Sequence, residues 1–354
     1  MSQSHRVLAL GRAHQLATTL LRHIEERVRT LDGLYIVGGV RRFEPTTSRV
    51  DILAVGAPDH IRSLTEVTQT WTLARDHAVP HDRRIDVRTE QGQVAIHLCA
   101  PDDTGPALVW HTGSRAHVEH LQSRAHDRGL QLVEAQLRDA SGRPVPCPTE
   151  DALYARLDLP FLLPELRGTT DDIARHVARG LPRLVETIDM QGDLHTHTTW
   201  SDGRDTLDAM VATAVDLGYR YLAITDHSER ALCSRTLSRS DVTRQREAVR
   251  DIETRYPAIS LLHGVEVEIM PDGTLDFDDD LLSSFDIVLA SLHDHAGHSS
   301  ARLLDRYLAA MAHPLVNVIT HPANRTPGQL NGYDLDFDTL IAAARESGTA
   351  LEVD

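Results

Sequence analysis

The chain has 354 residues, with 36 basic side chains against 52 acidic ones and a net charge of −16. That length has room for two or three domains and a sizeable core, and so acidic a balance argues against nucleic acid covering the whole surface, since phosphates are held by cations. No long apolar span, export signal or short-period repeat is present, and Cys99, Cys147 and Cys233 form neither a CxxC pair nor a disulfide framework, so a soluble, cytoplasmic protein without a membrane partner is expected.

The charge is uneven. Residues 191–354 hold 13 arginines against 27 acids, leaving residues 1–190 close to neutral. Bound cations would offset part of the acid in the second half. Every basic residue is arginine, so no lysine is present to form a Schiff base with an opened sugar.

In chain order, residues 7–30 carry apolar positions at helical spacing (Leu8, Leu16, Leu20, Leu21, Ile24, Val28) until Asp32-Gly33 breaks the pattern. Leu34 to Val37 reads as a strand, followed by Gly38-Gly39-Val40-Arg41-Arg42, a tight turn or a phosphate cradle. Val50 to Val55 and Val94 to Leu98 complete a small sheet, and Ala116 to Arg128 reads as a helix. Ser141 to Pro148 is a proline-marked loop, and Thr149-Glu150 opens a helix with a plausible N-cap. Asp171 to Val185 resumes helical spacing, and a boundary near residue 190 follows.

Beyond it, Gly192-Asp-Leu-His-Thr-His-Thr-Thr-Trp-Ser-Asp-Gly203 packs His195, His197 and Asp202 into a few residues. Alternate side chains of an extended segment share a face, so both histidines reach one ion while Asp202, past a turn, reaches a neighbour. Four later apolar runs stop on a histidine or an acid: His227, Glu266, His293 and His321. Helical patterns at Arg204 to Leu217 and Asp241 to Tyr256 lie between them, which predicts β-α repeats with the ligands at the carboxyl ends of parallel strands. Mixed imidazole and carboxylate donors suit zinc, manganese or iron rather than magnesium or calcium. The acidic run Asp276 to Asp280 lacks calcium-loop spacing and reads as a helix start.

Gly-Asp-Leu-His-Thr-His with Ser-Asp-Gly, then Ile-Thr-Asp-His-Ser, Gly-Val-Glu, Ser-Leu-His and Thr-His-Pro, resembles the PHP (polymerase and histidinol phosphatase) domain, in the version fused to bacterial family X DNA polymerases. The resemblance implies a distorted, TIM-like seven-stranded β/α barrel over residues 191–354 that holds up to three divalent ions. By that likeness His195 and His197 bind a first ion, Glu266 bridges to a second completed by His293 and His321, and Asp202 and His227 serve a third. Ions sharing one carboxylate sit about 3.5 to 4 Å apart, and water activated there attacks phosphorus without a nucleophilic side chain. Asp226 and Asp294 adjoin ligands and are expected either to orient imidazoles or to cap helices. Arg325 is a candidate phosphate contact. Glu268, His295 and His298 are assigned no role.

The first half resembles an α+β family X polymerase, with a palm-like region over 1–105, a thumb-like region over 106–168 and a linker helix over 169–190. Gly38 to Arg42 matches the palm's triphosphate motif, Ser48-Arg49-Val50-Asp51 its Gly-Asp-x-Asp, and Trp110 to His117 the thumb's Phe-Thr-Gly-Ser segment. Gly38, Arg41, Arg42, Gly113, Ser114 and Arg115 are therefore candidate DNA contacts. Arg49 replaces the first palm aspartate and Ala95 the third, leaving Asp51 alone. One carboxylate beside an arginine cannot hold the two cations that nucleotide transfer needs, so polymerase activity is expected to be lost.

Relative to the family, the chain starts at the palm and stops on the strand Ala350-Leu-Glu-Val-Asp354, before an Asp-x-His motif that supplies the last two ligands. The likeness thus implies a sequence truncated at both ends and a barrel incomplete at its C-terminus. The leading expectation is a metal-dependent phosphoesterase acting on DNA primer ends or gaps, as a 3′-5′ exonuclease or 3′-end-processing enzyme of repair. A small-molecule phosphatase of the histidinol-phosphatase type and a non-catalytic DNA-binding protein are the alternatives.

Overall fold

The computed structural model describes residues 7–75, 78–168 and 170–353. The chain divides into two compact units: one runs to Arg183 and takes in Pro327–Gln329, and the other begins at Leu184.

The first unit is built on a five-stranded sheet in which Arg49–Val55 lies between Gly33–Val37, antiparallel to it, and Gln93–Cys99, parallel to it. Arg84–Arg88 and Val79–Pro80 extend the sheet antiparallel from Gln93–Cys99. Alternation along Arg49–Val55 explains why both faces are covered. Ile52 and Ala54 pack with Leu16, Leu20 and Ile24 of the helix Leu10–Glu25, whereas Leu53 and Val55 pack with Ala107 and Leu108 of the helix Thr104–Thr112. Each such fully buried leucine or isoleucine contributes about 1.5–3 kcal/mol of transfer free energy.

The helices Arg115–Asp127 and Glu150–Leu157 and the hairpin Leu130–Val133/Gln136–Asp139 share a separate core around Leu121, Leu137, Leu153 and Tyr154. Ser114 and Thr149 cap the two helices by accepting the backbone N–H three residues on. The spacing that predicts a helix to Val185 is cut short in the structure, where the helix is Thr170–Arg179. Gly180 follows at φ +83 and Pro182 lies just beyond, a combination that stops helices.

The second unit is a curled half-barrel of six parallel strands in chain order: Gly192–Asp193, Tyr221–Ile224, Ser260–Glu268, Ile287–Ser291, Val318–Ile319 and Ala350–Leu351. The helices Leu207–Asp216, Arg239–Arg255, Ser300–Met311 and Phe337–Ser347 connect them. All four have side-chain caps, from Thr206, Ser238, Ser299 and Asp336. Val265, Val267, Val288, Ala290 and Ile319 are buried against Leu303, Tyr307 and Leu340 of the helices. The acidic run behaves as its sequence suggests, with Asp278 capping the helix Asp279–Leu282.

Candidate metal centre

The strand Gly192–Asp193 leads directly into His195, and the next residue decides which way the histidines face. Thr196 is buried, donating its hydroxyl to Ala223 O and its amide to Thr225 Oγ1, so His195 and His197 turn to the opposite side. Asp226 fixes the turn that follows. It accepts the amides and hydroxyls of Thr198 and Ser201 together with Gln245 Nε2. Among the described residues no imidazole bonds to it, so it acts on the loop between His197 and Asp202 through Thr198 and Ser201 and not through a ring.

Glu266 is the centre of the arrangement and is fully buried. Its Oε2 lies 3.3 Å from His195 Nε2, 3.4 Å from His197 Nε2 and 2.9 Å from His227 Nδ1. Its Oε1 lies 3.0 Å from His321 Nε2 and 3.7 Å from His293 Nε2. Asp202 stands 3.5 Å from His227 Nε2. His195, His197 and Glu266, then His197, Asp202 and His227, then His227, Glu266 and His293 form three triplets whose ligand atoms lie within 4.8 Å of one another.

The electrostatics of this cluster centre on one buried anion. Burial opposes the charge on Glu266, yet hydrogen bonds with His195, His227 and His321 hold its carboxyl well below the usual 4.5. His195 loses by burial and gains more from Glu266 and Glu352, which raise it to about 10. His197, only two residues away, is pushed down to about 4 by burial and by the neighbouring His227. Glu266 Oε2 and the Nδ1 atoms of His197, His227 and His321 are buried without a well-aligned hydrogen bond. A buried polar atom left so is costly, and Glu266 Oε2 and His227 Nδ1, which face each other, are atoms that a cation would satisfy. The donor set of imidazoles and carboxylates fits zinc, manganese or iron.

The grouping differs from the assignment of His227 to a third ion alone. His227 stands between Asp202 on one side and Glu266 and His293 on the other, and its ring stacks on His197 at 4.3 Å. His321 belongs to none of the triplets, although it reaches Glu266, and its backbone sits at the strained φ of +26. Asp294 accepts the amide of Ala296 in a turn and orients no ring, while the exposed His295 accepts the amide of Gly297. Arg325 is exposed. Two residues near the site had no signal in the sequence: Glu268 bonds to His293 Nδ1 and Glu352 to His195 Nδ1.

In the first unit, Gly38, Arg42, Gly113 and Arg115 line a cavity of about 490 Å³ that also includes Asp51 and Trp110. Gly38 is at φ +73, and a Cβ there would come within 3.2 Å of Asp51 Oδ2. The arginines expected to hold phosphate are committed elsewhere. Arg41 makes a two-pronged ion pair with Glu150 at 3.0 and 2.6 Å, and Arg42 bonds to Glu44 and to Thr112 O. Ser114 donates to Gly168 O, and Arg115, the exposed one of the candidate side chains, pairs with Glu119 at 2.7 Å.

Comparison with known proteins gives two family matches: the DNA polymerase beta thumb over residues 107–168 and the PHP domain over residues 193–345. A Bacillus subtilis protein named DNA polymerase/3′-5′ exonuclease PolX is 29% identical over 348 residues, 97% of this chain and 60% of the relative. Over nearly its whole length the chain is similar to this PolX, and it carries a PHP domain. Proteins named probable phosphatase match about half of the chain, at 28% identity over 174 residues in Syntrophotalea carbinolica and 31% over 169 residues in Shewanella baltica. These cover 48% and 46% of the chain and 68% and 61% of the respective relatives. The PHP match contains His195, His197, Asp202, His227, Glu266, His293 and His321, whereas Glu352 lies past its last residue. The thumb match contains Gly113 to Arg115 and the buried Arg167. No helix among the described residues is long and apolar enough to cross a membrane.

Proposed function

We propose that the PHP unit is a divalent-metal-dependent phosphoesterase that removes nucleotides or blocking groups from DNA 3′ ends in repair. The observation that carries this reading is the buried carboxylate of Glu266, ringed on both oxygens by five imidazoles, with Oε2 lacking an aligned hydrogen bond. His195, His197, Asp202, His227, Glu266, His293 and His321 are the residues that would hold ions, as many as three, of manganese, zinc or iron. Bound there, such ions supply a water-derived nucleophile at neutral pH and neutralise phosphate charge. The chain's own contribution is a fixed cradle: Glu266 presents Oε2 to His195, His197 and His227 and Oε1 to His293 and His321, and the Asp226 turn keeps His197 and Asp202 in register. Arg325, exposed four residues past His321, is assigned to the substrate phosphate.

DNA as substrate is supported by the thumb match and by the Bacillus subtilis relative, whose name carries both polymerase and exonuclease. Residues 1–105, 106–168, 169–190 and 191–354 are assigned as palm-like, thumb-like, linker and PHP regions. The palm-like region is assigned no nucleotide transfer, because Asp51 is held by Arg49 and His97. A small-molecule phosphatase is the second reading, favoured by the phosphatase-named relatives that match about half of the chain.

The deciding experiment gives the purified chain a 5′-labelled primer–template and, separately, phosphorylated metabolites, each with Mn²⁺ or with a chelator. Mn²⁺-dependent shortening of the primer from its 3′ end is expected. Hydrolysis of metabolites alone would replace the first reading with the second.

A further inference from the structure

Behind the histidines stand two glutamates arranged alike. Glu268, 3% exposed, has Oε2 2.7 Å from His293 Nδ1, while its Oε1 accepts the backbone amides of His293 at 3.0 Å and Asp294 at 3.2 Å. Glu352 has Oε1 2.9 Å from His195 Nδ1, while its Oε2 accepts the backbone amide of His321 at 2.8 Å. Each carboxylate thus takes one ring nitrogen and one ligand-bearing backbone amide. A carboxylate can only accept, so the ring nitrogen it faces must carry the proton. Nε2 of both rings faces the Glu266 carboxylate, so an ion bound there would take the place of the proton between ring and carboxylate and meet the Nε2 lone pair of a ring whose Nδ1 keeps its proton.

A buried cation braces the first pair. Arg306 is 1% exposed and makes hydrogen bonds to the carbonyls of Ile269, Met270 and Asp294, the residues directly following Glu268 and His293. The contrast with other ligands is direct, since the buried Nδ1 atoms of His197 and His321 have no such partner.

We propose that Glu268 and Glu352 are positioning residues that hold His293 and His195 in the tautomer presenting Nε2 to a metal ion, with Arg306 fixing the backbone under the Glu268–His293 pair. This rests on the metal-centre reading above. Fixing tautomer and ring angle in advance raises affinity, and loss of such partners commonly weakens metal binding by about 10–100-fold.

The test measures Mn²⁺ binding to the full chain by calorimetry, together with the ring-nitrogen NMR signals of the Zn²⁺-loaded protein, in wild type, Glu268→Ala, Glu352→Ala and the corresponding Gln variants. Circular dichroism reports folding. The expected result is a drop of about 10–100-fold in affinity for each Ala variant, partial recovery in Gln, whose amide oxygen still accepts from Nδ1–H, and loss of the Nδ1–H signature of the partnered histidine in Ala. If Glu268→Ala fails to fold, the Glu352 variants decide, because that side chain is 28% exposed. A wild type that binds no ion overturns the metal reading and this inference together. A wild type that binds, with Ala variants binding equally well and their ring signals unmoved, overturns the positioning role alone.

Discussion

Arg49 Nε donates to Asp51 Oδ1 at 2.9 Å, and the same oxygen lies 2.9 Å from His97 Nε2. Burial works to raise the Asp51 carboxyl, but the hydrogen bond with His97 and the charge of Arg49 win and lower it. Asp51 pairs across the sheet with Ala95, so the position that would supply another carboxylate is a methyl group. With Oδ1 taken by a guanidinium and an imidazole, Asp51 has one oxygen left, too little to hold the two cations of nucleotide transfer. Primer extension by the full chain is expected to be absent with either Mg²⁺ or Mn²⁺. The double substitution Arg49→Asp with Ala95→Asp is expected to add a Mn²⁺ site visible by electron paramagnetic resonance.

Removal of the central carboxylate is expected to disable the PHP site more severely than removal of any outer partner. Glu266→Gln keeps the volume but leaves the surrounding imidazoles without the shared anion. Phosphoesterase activity is expected to fall by more than the roughly 10–100-fold typical of outer partners, and metal content to fall with it. Chelation should give the same loss in wild type, reversed by added Mn²⁺ and not reversed in Glu266→Gln. Activity assays paired with metal analysis check both.

The buried His117 makes the first unit sensitive to mild acid. Burial, and then the charge of Arg167, pushes its imidazole down to about 3, and its Nε2 lies 2.7 Å from the Tyr154 hydroxyl. The folded state excludes a proton that the unfolded chain binds near pH 6.5. The stability tied to neutral His117 is therefore complete above about pH 6.5 and falls by about 1.4 kcal/mol per pH unit below it, down to about pH 3. Urea unfolding at pH 7 and pH 5.5 is expected to show a steeper loss in wild type than in His117→Asn, which has no proton to take up.

The gathering of histidines around Glu266 was legible because a candidate ligand set constrains residue type as well as spacing. His227, Glu266, His293 and His321 each end an apolar run, His195 and His197 follow the short strand Gly192–Asp193, and the parallel sheet brings those ends together. Glu268 and Glu352 were not legible. A glutamate two residues past Glu266 satisfies strand alternation whatever it contacts, and Glu352 reaches His195 across 157 residues of sequence. Asp226 misled for the opposite reason: it adjoins His227 in sequence, yet its oxygens are taken by Thr198, Ser201 and Gln245. The same holds for Arg41, which looks like a phosphate contact until Glu150, 109 residues later, is seen to claim it.

That Glu150 pair anchors the first unit. Glu150 is 6% exposed and accepts from Arg41 and from Arg167, which is fully buried. Burial opposes the Glu150 charge, but the two arginines lower its carboxyl below 4.5. The stabilisation is thus complete above pH 4.5 and lost as the pH falls through the lowered value. Glu150→Gln leaves a buried guanidinium uncompensated and is expected to cost about 3–5 kcal/mol. Denaturant unfolding at pH 7 checks the cost, and a smaller difference from wild type at strongly acid pH checks the linkage.

Gly203 follows Asp202, and a Cβ built on it would lie 2.4 Å from His197 O and 2.6 Å from Thr198 N. Both are backbone atoms, tied down by the hydrogen bond from Thr198 N to Asp226 and by Thr199 N to Asp205 O, so they cannot swing aside as a side-chain tip would. Gly203→Ala must therefore push the Asp202 segment away from His197. The triplet of His197, Asp202 and His227 loses its geometry first, while Glu266, His293 and His321 stand on other strands and keep theirs. The expected outcome is a folded protein that binds fewer equivalents of Mn²⁺ than wild type, with the remaining sites close to wild-type affinity. Calorimetric stoichiometry measures this, and a uniform weakening of every site would show instead that the three triplets respond as a single unit.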